Sequence, residues 1–238
     1  MNSDKLFYVL VAVFTILLFV GILFMASKPS VTKNPNTQES ENISVQDLVG
    51  SDPHTTLPID EAKVVVVEFG DFECPACKTA WSEVARVKED YKDTVAFVYR
   101  QFPLTSIHTY AYNAAVASEA SASQGKFFEY YDLLFKNQTD NQNPLKEEDY
   151  VSFAEELKLD VDKFKNDYSD NATKDKVKED MNYGNSLGIN STPTFFVNDK
   201  KVDFDVLYDT VKDIVDKISE EPTPSASSSP TPSVSPTE

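Results

Sequence analysis

The sequence predicts a mixed α/β fold, and three consecutive patterns carry this prediction. Val64 to Phe69 is a short run dominated by valine, which is typical of a strand buried on both faces. Pro75 to Tyr91 places apolar residues at helical spacing, and proline suits the first turn of a helix. Thr94 to Phe102 is again strand-like and stops at Pro103. Strand, helix and strand in this order form a βαβ unit, whose two strands run parallel.

The N-terminal segment predicts a membrane anchor. Leu6 to Ala26 is 21 residues without a charge, and a helix of this length, at about 1.5 Å per residue, spans the roughly 30 Å hydrocarbon core. A cleaved signal peptide is the alternative, but it needs a shorter apolar region and a small-x-small cleavage site. The run ends with Phe24-Met25-Ala26-Ser27, and no cysteine follows it to take a lipid. We expect residues 1–27 to be an uncleaved transmembrane helix.

The remaining chain divides by composition. Residues 28–43 are polar and contain prolines, which favours a flexible linker. Residues 44–218 are expected to fold, with a helical block at about 106–188 that begins near Ile107. A strand pair with a turn at residues 198–201 follows. Residues 203–218 then predict a closing helix, with an inner face made of Val206, Leu207, Val211, Ile214, Val215 and Ile218.

The composition of the tail predicts disorder, and the overall charge argues against one class of function. Residues 219–238 are almost entirely Pro, Ser, Thr and Glu, so they are expected to be disordered. The formal net charge is −17, from 39 acidic and 22 basic residues, which argues against nucleic-acid binding because phosphate contacts need a cationic face. An acidic soluble surface explains the charge. A calcium site is the alternative, although no Asp-x-Asp-x-Asp-Gly loop supports it.

The only two cysteines, Cys74 and Cys77, lie where the first strand gives way to the helix. A structural disulfide is a poor explanation, because closing so short a loop removes little unfolded-state entropy. Zinc needs about four ligands, and the only histidines, His54 and His108, have no ligand-like spacing, so we expect no metal. Two buried apolar cysteines remain an alternative to redox chemistry.

Redox chemistry fits the position of the pair. Cys74 lies at the start of a helix, where free backbone N–H groups and the helix dipole favour a thiolate. We expect Cys74 to be the exposed attacking sulfur and Cys77, one turn into the helix, to be the more buried resolving sulfur. A C-x-x-C motif beside a βαβ pattern indicates a thioredoxin-like redox centre.

Two further features support this hypothesis. Glu68 is an acid within the apolar first strand; a buried carboxylate there could exchange protons with the sulfurs, although it could also simply point to solvent. Thr192-Pro193 directly precedes an apolar run, where proline is unwelcome in a central strand. X-Pro bonds have access to the cis form, so Pro193 could face the cysteines and present the Thr192 backbone to a substrate chain.

These residues together resemble the DsbA-like thiol–disulfide oxidoreductases, and most closely the membrane-anchored BdbD-like branch. The likeness covers about residues 50–218 and lies in the stretch from Glu68 to Cys77, the helical block, and the stretch from Thr192 to Asn198. It implies a thioredoxin fold with an inserted helical subdomain. It also implies that Cys74 is the nucleophile and Cys77 the resolving cysteine, that Pro193 is cis and preceded by Thr192, and that Glu68 is the buried acid.

The resemblance also implies the function. We expect an extracytoplasmic enzyme, N-terminus in the cytoplasm, that introduces disulfides into reduced exported proteins. It would be monomeric, use no dissociable cofactor, and be re-oxidised by a membrane quinone-linked partner of the DsbB or vitamin K epoxide reductase type. Alternatives are a reductase or isomerase kept reduced by a membrane donor, and a non-catalytic tethered chaperone module.

One residue departs from the family pattern. The best-known oxidases carry Cys-Pro-His-Cys, and here Ala76 replaces the histidine. An imidazolium would stabilise the neighbouring thiolate, and alanine cannot. We therefore expect a less acidic Cys74 and a less oxidising couple than in the strongest oxidases.

Overall fold

The computed structural model describes residues 43–139 and 143–220, and within them five strands form one mixed sheet. The strands are β1 (His54–Thr55), β2 (Val64–Gly70), β3 (Val95–Gln101), β4 (Thr194–Val197) and β5 (Lys200–Val202). Their order across the sheet is β1-β3-β2-β4-β5, and only β2 and β3 run parallel. The predicted βαβ unit is therefore confirmed, and β2 is hydrogen-bonded along both edges.

Eight α-helices and one 3₁₀ turn complete the described residues. They are α1 (Val45–Val49), α2 (Pro75–Asp90), α3 (Ala111–Ala122), α4 (Phe127–Lys136), α5 (Glu147–Glu156), α6 (Val161–Ser169), α7 (Asn171–Ser186), the 3₁₀ turn Phe204–Val206, and α8 (Leu207–Glu220). Helices α3 to α7 lie between β3 and β4 in the chain, and we call them the helical insert. Helix α8 runs to Glu220, past the predicted boundary at residue 218.

The predicted helix start near Ile107 is wrong, because α3 begins at Ala111. Residues 102–110 instead form a loop that two acidic side chains hold. The N–H of Leu104 donates to Asp71, and the N–H of Tyr110 donates to Glu73. The two carboxylates accept hydrogen bonds from backbone N–H groups of this loop. The loop therefore has another conformation than a helix, and the helix begins only at Ala111.

Both faces of the sheet are covered, as the valine run predicts. On one face Val66 of β2 and Phe97 of β3 pack against α2, α4 and α8. On the other face Val67 and Val98 pack with Leu48 of α1. All seven residues of β2 and all seven of β3 are buried, so neither strand shows the alternation expected of a half-exposed sheet.

The closing helix packs mainly through Leu207 and Val211, which are fully buried, while Ile214, Val215 and Ile218 are partly buried against the same core. The predicted inward orientation of Val206 is wrong, since its side chain is 47% exposed. Val206 ends the 3₁₀ turn that precedes α8, and the tighter winding of a 3₁₀ turn breaks the helical phase there.

Within residues 43–139 and 143–220, no helix combines the length and apolar character required to cross a bilayer. The predicted anchor at residues 1–27 lies outside the described residues. The same is true of the predicted linker up to residue 42 and of the tail from residue 221.

Candidate redox site

The cysteine pair lies where β2 passes into α2. Cys74 is the N-cap residue of α2, Pro75 occupies its first turn, and Cys77 follows within that turn. Cys77 is fully buried, and Cys74 is only 6% exposed. The expectation of an exposed Cys74 is therefore wrong, although Cys74 is the more accessible of the two. The cysteines are not joined by a disulfide, so this is the reduced form of the site.

The segment before β4 covers Cys74. The Thr192–Pro193 peptide bond is cis, as predicted. The thiol of Cys74 donates a hydrogen bond to the Thr192 carbonyl, with 3.3 Å between sulfur and oxygen. Strand register explains this meeting across 118 residues of sequence, because Thr194 of β4 pairs with Phe69 near the end of β2. This contact accounts for the low exposure of Cys74.

Hydrogen bonds stabilise the Cys74 thiolate. They lower its pKa from 9.0 to about 5, and the largest cause is the hydrogen bond from the Cys77 thiol. Burial opposes the shift, while the Thr192 side chain and the backbone N–H groups of Cys77 and Ala76 support it. Ala76 thus contributes a backbone donor and no imidazole. The resulting pKa lies above the value of about 3.5 in the strongly oxidising DsbA.

The second sulfur shifts in the opposite direction. Burial raises the pKa of Cys77 well above 9.0, and the hydrogen bond to Cys74 and the negative charge of Glu68 add to the increase. At neutral pH the pair therefore holds one proton, on Cys77. The two sulfurs are therefore chemically distinct.

Glu68 lies inside the sheet and does not point to solvent. Its side chain is 1% exposed, and burial raises its pKa from 4.5 to about 8. The Tyr131 hydroxyl donates to Oε2 at 3.4 Å, and the other oxygen, Oε1, has no hydrogen-bond partner among the described residues. Glu68 and the two sulfurs also affect one another electrostatically. Glu68 is therefore a protonated acid at neutral pH, close enough to the sulfurs to respond to their charge.

Sequence reasoning missed the group that shapes the turn before Cys74. Asp71 is buried, and its Oδ1 accepts the N–H of Glu73 at 2.7 Å. Its Oδ2 accepts the N–H of Leu104 at 2.8 Å and lies 2.7 Å from Nδ1 of His108. In the sequence, only the closeness of Asp71 to Cys74 indicates that it belongs to the site. Its partners Leu104 and His108 lie more than 30 residues further along the chain.

A close approach explains the glycine next to Asp71. A Cβ atom at Gly70 would lie 2.4 Å from Cε2 of Tyr99 and 2.7 Å from its hydroxyl oxygen. Tyr99 is opposite Glu68 in the β2–β3 pairing, and its hydroxyl has no hydrogen-bond partner among the described residues. Gly70 therefore allows the Tyr99 ring to lie against the strand that carries Glu68.

Both histidines pair with buried carboxylates. His108 contacts Asp71, as described above, and Nε2 of His54 lies 2.8 Å from Oε1 of Glu119. The His54 ring also stacks on Phe127, with 3.7 Å between ring centroids. In the two described stretches of the chain, no group of three or more His, Cys, Asp or Glu side chains is arranged to hold a metal ion.

The separation of the two sulfur pKa values predicts a specific alkylation profile. In the reduced protein, the rate of Cys74 alkylation by iodoacetamide should rise with a midpoint near pH 5, because only the thiolate reacts. Cys77 should stay unmodified through pH 9. Mass spectrometry of quenched samples measures both. A Cys74 midpoint near pH 8.5, the value of an ordinary thiol, would contradict the prediction.

The described geometry agrees with known proteins. The model of a family described as thioredoxin matches residues 59–217. A Bacillus cereus protein named probable disulfide bond formation protein D is 33% identical over 226 residues, which cover 91% of this chain and 98% of that protein. The crystal structure of oxidised BdbD from Bacillus subtilis superposes with a TM-score of 0.59 and 28% identity, covering 66% of this chain and 88% of that one.

Other relatives match this chain over only a small part of their own length. The Na⁺/H⁺ antiporter NhaA 3 of Salinispora tropica is 40% identical over 141 residues, which are 59% of this chain and 21% of the antiporter. The chain thus spans about a fifth of that relative, and the antiporter's name describes a protein that is mostly outside the match. The family match and the full-length Bacillus relative show that this chain belongs to the thioredoxin-like family of DsbA/BdbD-type thiol–disulfide oxidoreductases.

Proposed function

We propose that this enzyme introduces disulfide bonds into exported proteins through a reactive Cys74–Cys77 pair. The observation that carries the proposal is the opposite displacement of the two sulfur pKa values. A stabilised Cys74 thiolate favours the reduced form of the enzyme, and a dithiol whose reduced form is stabilised is an oxidant. The name of the Bacillus cereus relative, a probable disulfide bond formation protein, supports the same direction.

The first step forms a mixed disulfide. A thiolate of the substrate protein attacks the Cys74 sulfur of the Cys74–Cys77 disulfide, and the electron pair of the broken S–S bond goes to Cys77. The buried Cys77 sulfur disfavours this charge, so it needs a proton. Glu68, with a pKa of about 8, holds a proton at neutral pH and donates it to Cys77.

The second step releases the product. A second substrate thiolate attacks the substrate sulfur of the mixed disulfide, and Cys74 leaves as a thiolate. Its pKa of about 5 makes it a good leaving group. The substrate has lost two electrons to the enzyme, which ends with a Cys74 thiolate and a Cys77 thiol. In this scheme the carbonyl of Thr192, next to cis Pro193, binds the substrate backbone once Cys74 no longer donates to it.

The proposal includes a location and a recycling partner. Residues 1–27 would anchor the enzyme in the cell membrane with its N-terminus in the cytoplasm, and residues 28–43 would tether the catalytic domain, 44–218, outside. An oxidising compartment suits net disulfide formation. A membrane quinone-linked protein of the DsbB or vitamin K epoxide reductase type would accept the two electrons and restore the disulfide.

The direction of electron flow is the property to test. Oxidised enzyme is mixed with an equimolar reduced model protein that has two cysteines, and thiols are trapped by acid and counted over time. We expect the enzyme to lose its disulfide as the substrate gains one, and a reduction potential well above the roughly −270 mV of thioredoxin when equilibrated with glutathione. A potential near that of thioredoxin would instead support the reductase alternative.

A further inference from the structure

A glutamine of the helical insert forms two hydrogen bonds to the turn that carries Cys74. Gln138 lies just beyond the end of α4. Its side-chain Nε2 donates to the Phe72 carbonyl at 2.8 Å and to the Cys74 carbonyl at 3.0 Å. An amide nitrogen has two hydrogens and no charge, so it can satisfy two carbonyl groups at once. One side chain thus binds the backbone on both sides of Glu73.

The backbone of the same residue makes a second link to α2. The ammonium group of Lys78 donates to the Gln138 carbonyl at 2.9 Å. The N–H of Lys78 also donates to the Cys74 carbonyl at 3.1 Å, as the first bond of the helix. The Cys74 carbonyl therefore accepts from both Lys78 and Gln138, and these two residues are joined to each other.

The two hydrogen bonds of Gln138 restrain the backbone at Cys74, which the Cys74 side chain does not do by itself. Cys74 is the N-cap of α2, and as a thiol its side chain makes no capping hydrogen bond; the N–H groups of Ala76 and Cys77 act on its thiolate. Asp71 holds the turn from one side, through the N–H of Glu73 and a backbone bond from the N–H of Cys74 at 3.1 Å. Gln138 holds the carbonyl groups of Phe72 and Cys74, and it follows α4, the helix whose Tyr131 donates to Glu68.

We propose that Gln138 is a positioning residue, which locks the Phe72–Cys74 turn to the helical insert and so keeps the Cys74 sulfur beside the backbone N–H groups of Ala76 and Cys77. The inference rests on the proposed role of Cys74 as the reactive sulfur. Without the two amide bonds only the Lys78 N–H holds the Cys74 carbonyl, so the Cys74 peptide group can rotate over a wider range. Rotation moves the sulfur away from the N–H groups of Ala76 and Cys77, which help to stabilise its thiolate.

The test is the pH profile of Cys74 alkylation in reduced full-length Gln138→Met, in which a side chain of similar length cannot donate. We expect the midpoint to rise by about half a unit or more, which lowers the alkylation rate at pH 5 at least about twofold, the effect of losing one ordinary hydrogen bond. Asn137→Ala is the matched control. Its Nδ2 donates to the Leu133 carbonyl at 2.9 Å at the same helix end, without touching the turn, so its profile should stay that of the wild type.

A folded Gln138→Met protein with an unchanged midpoint would overturn the proposal, because a merely structural bond would lower the melting temperature without moving the titration. Gln138→Asn, whose amide is one methylene too short, is the second variant and should shift in the same direction. Loss of folding in both variants would also overturn it, since Gln138 would then be required by the fold itself. A wild-type protein that lacks low-pH alkylation at Cys74 would refute the proposed function instead.

Discussion

Replacement of Cys74 by serine is expected to abolish the oxidation of a reduced dithiol protein. A serine hydroxyl cannot form the disulfide, and it offers no thiolate as a leaving group. The measurement is the rate at which a reduced model protein regains activity when the enzyme is supplied with a glutathione redox buffer. We expect the variant to fall to the uncatalysed rate. Full activity in Cys74→Ser would refute the assignment of this site.

The partner variant Cys77→Ser is the informative control, because it removes the resolving sulfur and leaves the attacking one. Cys74 can then still enter a mixed disulfide with a substrate or glutathione, but no internal thiol can release it. A covalent adduct on Cys74 should accumulate and disappear on reduction, as seen by mass spectrometry. If adducts formed on Cys77 in Cys74→Ser instead, the roles of the two sulfurs would be reversed.

Glu68→Gln is expected to stabilise the protein at neutral and alkaline pH. Below about pH 4.5 Glu68 is protonated in both the folded and the unfolded chain. Between about pH 4.5 and about 8 only the unfolded chain releases the proton, so the folding free energy weakens as the pH rises, by on the order of 4 kcal/mol in total. Glutamine removes this loss, although its buried amide costs about 1–3 kcal/mol. A net gain of about 2 kcal/mol at pH 8 follows.

Chemical denaturation of both proteins between pH 4 and 9 measures this effect, and the variant should lack the decline between pH 5 and 8. Activity should change in the opposite direction. General acid–base catalysis contributes at least about a hundredfold to the rate, so the variant should be slower by about that factor at pH 7.

Glu119→Gln is the matched control. Glu119 is also buried, but His54 and Gln101 bind it, so its replacement should destabilise the fold and leave the sulfur chemistry unchanged. Identical pH–stability curves for Glu68→Gln and the wild type would contradict the prediction.

The predictable parts of the site depend on local patterns. The valine run of β2 and the helical spacing of α2 predict that Cys74 lies at the start of a helix. This prediction needs no information about the rest of the chain. A proline before an apolar run likewise marks a specialised strand end, which is why Thr192-Pro193 could be linked to the cysteines. The acid at Glu68 stands out because it interrupts an apolar strand. Each of these signals lies within about ten residues of the sequence.

The unpredicted parts depend on long-range contacts. The strand β1 has only two residues, His54 and Thr55, and no periodicity can reveal so short an element. The two carbonyl groups that the Gln138 side chain binds lie more than 60 residues away, so nothing near residue 138 marks it as part of the site. The burial of Cys74 has the same origin: its cover comes from Thr192, and a helix N-terminus considered alone leaves the sulfur open.

The position of β2 in the sheet has a consequence for how the protein is made. One edge of β2 pairs with β3, which follows after a single helix, but the other edge pairs with β4, which begins only at Thr194. The chain is synthesised from its N-terminus, so Cys74 and Cys77 are made long before Thr192, which covers Cys74 in the folded protein. Until then both sulfurs are uncovered. A reactive sulfur that is uncovered can form a disulfide with a wrong partner. This sequence has no third cysteine, so the one intramolecular disulfide it can form while immature is the Cys74–Cys77 disulfide of the proposed function.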